Sequence, residues 1–301
     1  MKVLVVGGGV SAEREIALLS SKAVFDALIA QNFEAEFYDW DGTTQWLELN
    51  LSRFEVVLPI LHGAGGEDGQ IQKILESHGS KFIGSGSVVA AHCFDKSKTL
   101  DALSALSIKT PAGKVVTFDQ YKQDRLFSTA HVLKPYDGGS SIDTYIFNKN
   151  MPKPLEKIKD SFKTHHTMLL EEYVDGTEIT VAILDGTALP VIEICPPKNG
   201  VFDYVNKYNG ATEEFCPPKH VSEAVQKKAQ ALAERIYEEL GCRHLARIDM
   251  IISGEDIYVL EVNTMPGMTD QSLFPKAAAV AGYTFENLVA ALVDSGEKEP
   301  I

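Results

Sequence analysis

The chain has little cysteine, a deficit of basic charge and no long apolar run, and each shortage closes off a class of function. Its four cysteines (Cys93, Cys195, Cys216 and Cys242) stand far apart with no C-x-x-C pair, so neither a disulfide framework nor a zinc knuckle is suggested, and all read as reduced packing residues. Lys and Arg number 28 against 42 Asp and Glu, a formal net charge of -14 over 301 residues. That balance argues against a nucleic acid or an anionic membrane as partner, because both are themselves negative. The apolar run before the first glycines is only four residues, VLVV, too short for a signal-peptide core, and no later segment approaches a membrane span, which predicts a cytoplasmic protein. A G-x-x-x-x-G-K-[ST] run is also missing, so a P-loop is not expected, and there is no internal repeat or low-complexity tract.

What is present is an ordinary folded composition, 45% hydrophobic, with three successive patterns. Residues 1–94 alternate apolar runs (KVLVV, EAEFY, FEVVLPIL) with amphipathic stretches, one carrying Ile16, Leu19, Ala23 and Ala27 on one face and another starting near Gly69. This βαβ rhythm predicts a parallel, Rossmann-like sheet domain of α/β class. Residues 95–176 open with the polar helix FDKSKTLDALSAL (94–106) and continue as short strands at 132–135, 141–147 and 167–174, an α+β pattern with the loop YDGGSS between the first two. Residues 177–301 carry TEITVAIL, ALPVIEI, a long helix at about 222–240, the apolar strands LARIDMII and IYVLEVN, and two closing helices. Those last two strands are the longest apolar runs and are expected to be central in their sheet.

Three constellations stand out. Gly7, Gly9 and Ala12 satisfy G-x-G-x-x-A between a strand and a helix, with Asp39 or Asp41 ending the next strand. That admits dinucleotide binding, a tight strand-to-helix turn, or a small charged substrate met by Glu13 at the helix start. LHGAGGEDGQ (61–70) puts a second glycine-rich loop, with His62, at the carboxyl edge of the same sheet, where open α/β sheets bind ligands. The third is the most telling. Side chains two apart on a strand share a face, so Arg247, Asp249, Glu261 and Asn263 can meet on one side of adjacent strands. An Arg247–Asp249 ion pair alone would leave Glu261 and Asn263 unexplained, whereas hard oxygen ligands so grouped suit Mg2+ and phosphate oxygens. Lys134, closing an apolar strand before YDGGSS, is placed to meet phosphate beside loop N–H groups; Lys96 and Lys207 are further scattered bases.

In order along the chain, GGVSAERE, LHGAGGEDG, FDKSKT, LKPYDGGSS, LLEEYVDGTEITVAIL, FDYVNKY, ARIDM and LEVNTMPGMTDQSL resemble the D-alanine:D-alanine ligase family of the ATP-grasp superfamily over nearly the whole length. The resemblance implies a three-domain ATP-grasp architecture with ATP held between the central and C-terminal domains. It implies that Glu13 receives the ammonium group of a first D-alanine with His62 nearby. Lys96, Lys134 and Lys207 would contact ATP phosphates under a loop containing Ser140 and Ser141. Glu171, Glu172, Tyr173 and Val174 would meet adenine, and Glu178 the ribose. Arg247 and the Gly267 N–H would form an oxyanion site, and Asp249, Glu261 and Asn263 would hold two Mg2+ ions, with Mn2+ able to substitute. Ser272 and Leu273 would take the second D-alanine.

Such an enzyme would phosphorylate one D-alanine to an acyl phosphate and join it to another for peptidoglycan synthesis, as a homodimer. Tyr208, on a loop resembling the family's mobile segment, would link to Ser140 and Glu13 and favour an amino-acid acceptor. D-serine as acceptor is the alternative within the family, and an NAD(P) oxidoreductase the alternative outside it. The chain departs from the family pattern at Gly138 and at Ile142-Asp143-Thr144, both in the phosphate loop.

Overall fold

The computed structural model describes residues 1–139, 142–147, 151–196 and 212–298. Ser140, Ser141, Lys207 and Tyr208 lie outside the described residues.

The first strand, β1 (Lys2–Gly8), lies between β2 (Glu34–Trp40) and β3 (Val56–Pro59) in a parallel sheet of order β2-β1-β3. Its unbroken Val-Leu-Val-Val run is buried on both faces, as a central parallel strand requires. The crossover helix α1 (Arg14–Ala30) buries Ala17, Ser20, Ser21, Val24, Ala27 and Leu28. The stripe expected at Ile16, Leu19 and Ala23 instead borders a cavity open to solvent, and Leu19 is exposed. The short helix α2 (Gln45–Asn50) follows β2, and α3 (Gln70–Ser77) starts after Gly69.

The helices α4 (Ser87–Phe94) and α5 (Lys96–Ala105) lead out of this unit, and the Asp95 carboxylate caps α5 by accepting from the Ser97 and Lys98 N–H groups. A four-stranded antiparallel sheet of order β4-β7-β5-β6 follows, built from β4 (Gly113–Val116), β5 (His131–Lys134), β6 (Tyr145–Phe147) and β7 (Met168–Glu172). With α6 (Phe118–Gln123) and α7 (Leu155–His165) it closes a separate core of Tyr121, Leu133, Phe147, Ile158, Phe162 and Leu170. The strand expected over 141–147 is only three residues long, because Asp143 turns the chain at φ 53°. Its carboxylate is held 3.0 Å from His165 Nε2.

The largest sheet is antiparallel, of order β11-β10-β8-β12-β13, with β9 (Thr187–Ala188) pairing on β8 (Thr177–Leu184). Its other strands are β10 (Ile192–Cys195), β11 (Glu213–Phe215), β12 (Leu245–Ser253) and β13 (Asp256–Asn263), and α8 (Glu223–Glu239) packs behind it. Contrary to expectation β13 is an edge strand. It is protected by α4 and α5, and its Val259 N–H donates to the Lys109 carbonyl at 2.9 Å. The closing helices α9 (Leu273–Val280) and α10 (Phe285–Lys298) return to the start of the chain. Leu288, Val289 and Leu292 share one core with Val3, Val5 and Val24, so the two ends of the sequence are fastened together by apolar burial.

Candidate active site

The four-stranded and six-stranded sheets, with α1 and the loops that follow β1 and β3, border a cavity of about 1180 Å³. Of the residues singled out in the sequence, Glu13, His62, Lys96, Lys134, Glu171, Glu172, Tyr173, Val174, Glu178, Arg247, Asp249, Glu261, Asn263, Gly267, Ser272 and Leu273 all line it. They come from stretches as far apart as α1 and α9.

The floor is the β12–β13 pair. Arg247 lies opposite Asn263 and Asp249 opposite Glu261, with a register shift between Asp249 and Met250. Arg247 donates from Nε to Asp249 Oδ1 at 2.8 Å and from Nη2 to Oδ2 at 2.7 Å, a planar two-point pair. Thr180 Oγ1 donates to Asp249 Oδ1 at 2.6 Å, and Asn263 Nδ2 to Oδ2 at 3.3 Å. The amide oxygen of Asn263 is thereby left as the acceptor of that side chain. Burial works against the charge on Arg247, but Asp249, backed by Glu261 and Glu67, more than offsets it and holds the guanidinium protonated well above its ordinary range. Burial likewise raises the pKa of Glu261, yet Lys96, Lys134 and Arg247 outweigh it and keep the carboxyl ionised well below the usual glutamate range.

Two lysines form the walls. Lys96, 9% exposed, opens α5; its Nζ lies 3.2 Å from Glu261 Oε2 and donates to the Gly138 carbonyl, while its backbone N–H donates to Tyr136 O at 2.7 Å. It therefore ties the start of the glycine loop to the acidic floor. Lys134 Nζ lies 2.7 Å from Glu171 Oε2. Glu171 is only 2% exposed, and its Oε1 is a buried acceptor with no hydrogen-bond partner among the described residues. Such an atom is costly unless something donates to it.

The opposite wall belongs to the first sheet. Glu13 immediately precedes α1 and makes no side-chain capping bond to it; its N–H donates to Ser11 Oγ at 3.1 Å. Its carboxylate sits in a slot with no room for side chains: a Cβ at Gly63 would stand 2.8 Å from Oε2, and one at Gly139 2.7 Å. Gly63 also has φ 70°, a second reason for glycine there. The His62 ring is held by Ser20, whose Oγ is 3.1 Å from Nε2 and also accepts from Met268 N at 3.4 Å. Turn 264–272 completes the site: Ser272 Oγ accepts from Thr269 N at 3.1 Å, and a Cβ at Gly267 would come within 2.7 Å of that oxygen.

Two participants escaped the sequence reading. Ser20 sits mid-helix and carries no motif signal. Glu67 lies within LHGAGGEDG, where nothing in the spacing sets it apart from the loop's other polar residues. Its Oε2 accepts from Gly63 N at 2.6 Å, and desolvation together with the charge of Glu13 lifts its carboxyl to about 8. The glycine turn after β1 is also clarified: a Cβ at Gly8 would strike Asp39 Oδ1 at 2.1 Å and Arg14 Nη1 at 2.6 Å. Of the two acids a dinucleotide reading could use, Asp39 is joined to Arg14 at 2.7 Å and Asp41 accepts from Thr43 N at 2.9 Å. Nor are all four cysteines packing residues, since Cys195 lines the cavity; all four are free thiols.

A family model described as D-ala D-ala ligase C-terminus matches residues 119–294. The chain is 34% identical to the D-alanine–D-alanine ligase of Fusobacterium nucleatum over 297 residues, covering 98% of this chain and 99% of that one. It is 39% identical to the enzyme of that name from Methylacidiphilum infernorum over 303 residues, covering 97% and 94%. Among solved structures, the D-alanine–D-alanine ligase of Bacillus anthracis superposes with a TM-score of 0.84 at 30% identity, covering 98% of this chain and 97% of that one. That ligase complexed with ATP gives 0.81 at 27% identity, with the same coverage. The VanG D-Ala:D-Ser ligase of Enterococcus faecalis gives 0.80 at 25%, covering 98% and 99%. By a family model over residues 119–294 and by relatives matched over nearly its whole length, this chain belongs to the D-alanine–D-alanine ligase family.

Proposed function

We propose that the protein is an ATP-dependent, ADP-forming ligase that joins two D-alanines through a D-alanyl phosphate, for peptidoglycan precursor synthesis. The observation that carries the reading is the grouping of Arg247, Asp249, Glu261 and Asn263 on paired strands, flanked by Lys96 and Lys134, on the wall of one cavity. The reading includes ATP-grasp architecture, with ATP between the four-stranded and six-stranded sheets, and three domains divided near residues 94 and 176. It also carries a cytoplasmic homodimer.

The donor set fits the groups this chemistry needs. Glu261, held ionised, with Asp249 and the Asn263 amide oxygen, offers hard oxygens of the kind Mg2+ prefers. Bound there, two Mg2+ ions, or Mn2+ in their place, would neutralise phosphate charge. The segment Glu171, Glu172, Tyr173 and Val174 lines the cavity where adenine would lie, and Glu178 suits a ribose hydroxyl.

In the first step a carboxylate oxygen of D-alanine attacks the γ-phosphorus of ATP, the bond to the ADP oxygen breaks, and D-alanyl phosphate forms. Lys96 and Lys134 compensate the migrating charge; Lys207, Ser140 and Ser141 belong to this reading by resemblance and lie outside the described residues. Glu13, fixed in its slot with His62 beside it, binds the ammonium group. In the second step the free amine of the second D-alanine, seated by Ser272 and Leu273, attacks the acyl carbon. Arg247 and the Gly267 N–H donate to the oxyanion, and as it collapses the C–O bond to phosphate breaks and the amine's proton leaves with the departing phosphate. Tyr208, also outside the described residues, carries the preference for an amine acceptor.

The test is Mg-ATP-dependent phosphate release with D-alanine beside L-alanine, D-serine as acceptor, and no amino acid, with the product mass measured. Release that needs D-alanine, a mass of D-alanyl-D-alanine, and loss of both in Glu261→Gln are expected. A mixed D-alanyl-D-serine product in preference to the homodipeptide would replace the acceptor assignment, and phosphate release indifferent to D-alanine would overturn the reading.

A further inference from the structure

On the wall of the same cavity, away from the acidic floor, β10 presents Glu193 and Cys195 two residues apart, and His220 faces them from the segment that leads into α8. His220 Nδ1 is 2.7 Å from Glu193 Oε1, and Cys195 Sγ donates to that same oxygen at 3.6 Å. The other carboxylate oxygen, Oε2, accepts the backbone N–H groups of Lys219 at 2.8 Å and His220 at 2.9 Å. Glu193 is 1% exposed. One oxygen is thus locked by backbone, and the other is the shared target of a thiol and an imidazole. One ligand atom from each of the three residues lies within 4.8 Å of the others.

We propose that Glu193, Cys195 and His220 form a second metal site, selective for a thiolate-accepting transition metal of the Zn2+ class, with an open position toward the cavity. Sulfur, imidazole nitrogen and carboxylate oxygen together are the donors of a three-ligand zinc site that keeps one position free. Mg2+ takes oxygen donors and has no use for the sulfur. The proton balance is simple. On binding, the Cys195 thiol proton goes to solvent and the sulfur becomes a thiolate. The His220 proton moves from Nδ1 to Nε2, so that Nδ1 donates its lone pair, and Glu193 stays a carboxylate. A dication then meets two negative ligands and one neutral one. The backbone donors on Oε2 orient the ligand as outer contacts do in metal sites.

The inference is independent of the ligase reading and is tested by binding. Full-length protein, metal-free and then saturated with Mg2+ to occupy the oxygen cluster, is titrated with Co2+ and followed by absorbance, and the cobalt is then displaced with Zn2+. The expected result is one equivalent bound with a sulfur-to-cobalt charge-transfer band. The band should vanish in Cys195→Ser, persist in Cys216→Ser, and in His220→Ala need at least about tenfold more Co2+. Melting temperature without metal confirms that the variants are folded. No sulfur band in the wild type, or the same band in Cys195→Ser, would overturn the site and leave Glu193 as a buried cap of the turn at Lys219 and His220.

Discussion

Lys134 and Glu171 form a diagonal pair across two hydrogen-bonded strands: Val132 on β5 stands opposite Glu171 on β7, and Lys134, two residues on, reaches back to put Nζ 2.7 Å from Oε2. Both side chains are largely withdrawn from solvent, at 12% and 2% exposed. The lysine assigned to phosphate therefore also neutralises a buried acid beside the proposed adenine site. Lys134→Ala should lose stability as well as nucleotide affinity, by about 3–5 kcal/mol, because it strands a buried carboxylate. Urea unfolding checks this, and Lys134→Ala/Glu171→Leu should recover much of the loss. A double variant as unstable as the single one would mean the pair is not the cause.

Arg247 holds its plane through two contacts with Asp249. A lysine cannot reproduce that fork, so Arg247→Lys should lower kcat about 10²- to 10³-fold, the range for removal of an oxyanion donor. KM for ATP should change far less. Steady-state kinetics separates the two constants, and a variant altered only in KM would remove Arg247 from the transition state.

Gly267 has no positive φ to demand glycine; its constraint is Ser272 Oγ, 2.7 Å from where a Cβ would stand. Gly267→Ala should push Ser272 away and raise KM for the acceptor D-alanine while ATP binding, measured directly, stays unchanged. Equal damage to both would point to general disruption of the turn.

Glu67 makes stability fall with rising pH in the metal-free, nucleotide-free protein. Its carboxyl is raised from 4.5 to about 8, so its stabilising contribution is complete below 4.5, where the unfolded chain also holds the proton. That contribution is lost as pH climbs through 8. The melting temperature of Glu67→Gln should therefore exceed that of the wild type by a margin that grows from about pH 5 to about pH 8. Parallel curves would show that Glu67 is ionised throughout.

Much of the site could be read before the fold. Alternation by two put Arg247 with Asp249 and Glu261 with Asn263, and the pairing of β12 with β13 brings the two pairs face to face. The helix starting near Gly69, the long helix at 223–239 and the closing helices follow from local periodicity. Periodicity failed on α1, where an apolar stripe through Ile16 and Leu19 borders the cavity while Ser20 and Ser21 are buried. Which face of a helix is covered depends on what packs against it, here the first sheet and α10.

By itself the sequence determined the strand and helix rhythm, the chemical types of the site residues and the order of motifs that identifies the family, because these depend on spacing along one segment at a time. Only the tertiary structure decided that β13 lies at an edge covered by α4 and α5, that Ser20 joins His62 to the turn at Met268, that Lys134 answers Glu171, and that Glu193, Cys195 and His220 meet. Each of these is a contact between segments distant in the chain. Burial and charge at such a contact, which set whether Glu67 or Glu261 is ionised, arise only when several segments exclude water from the same place.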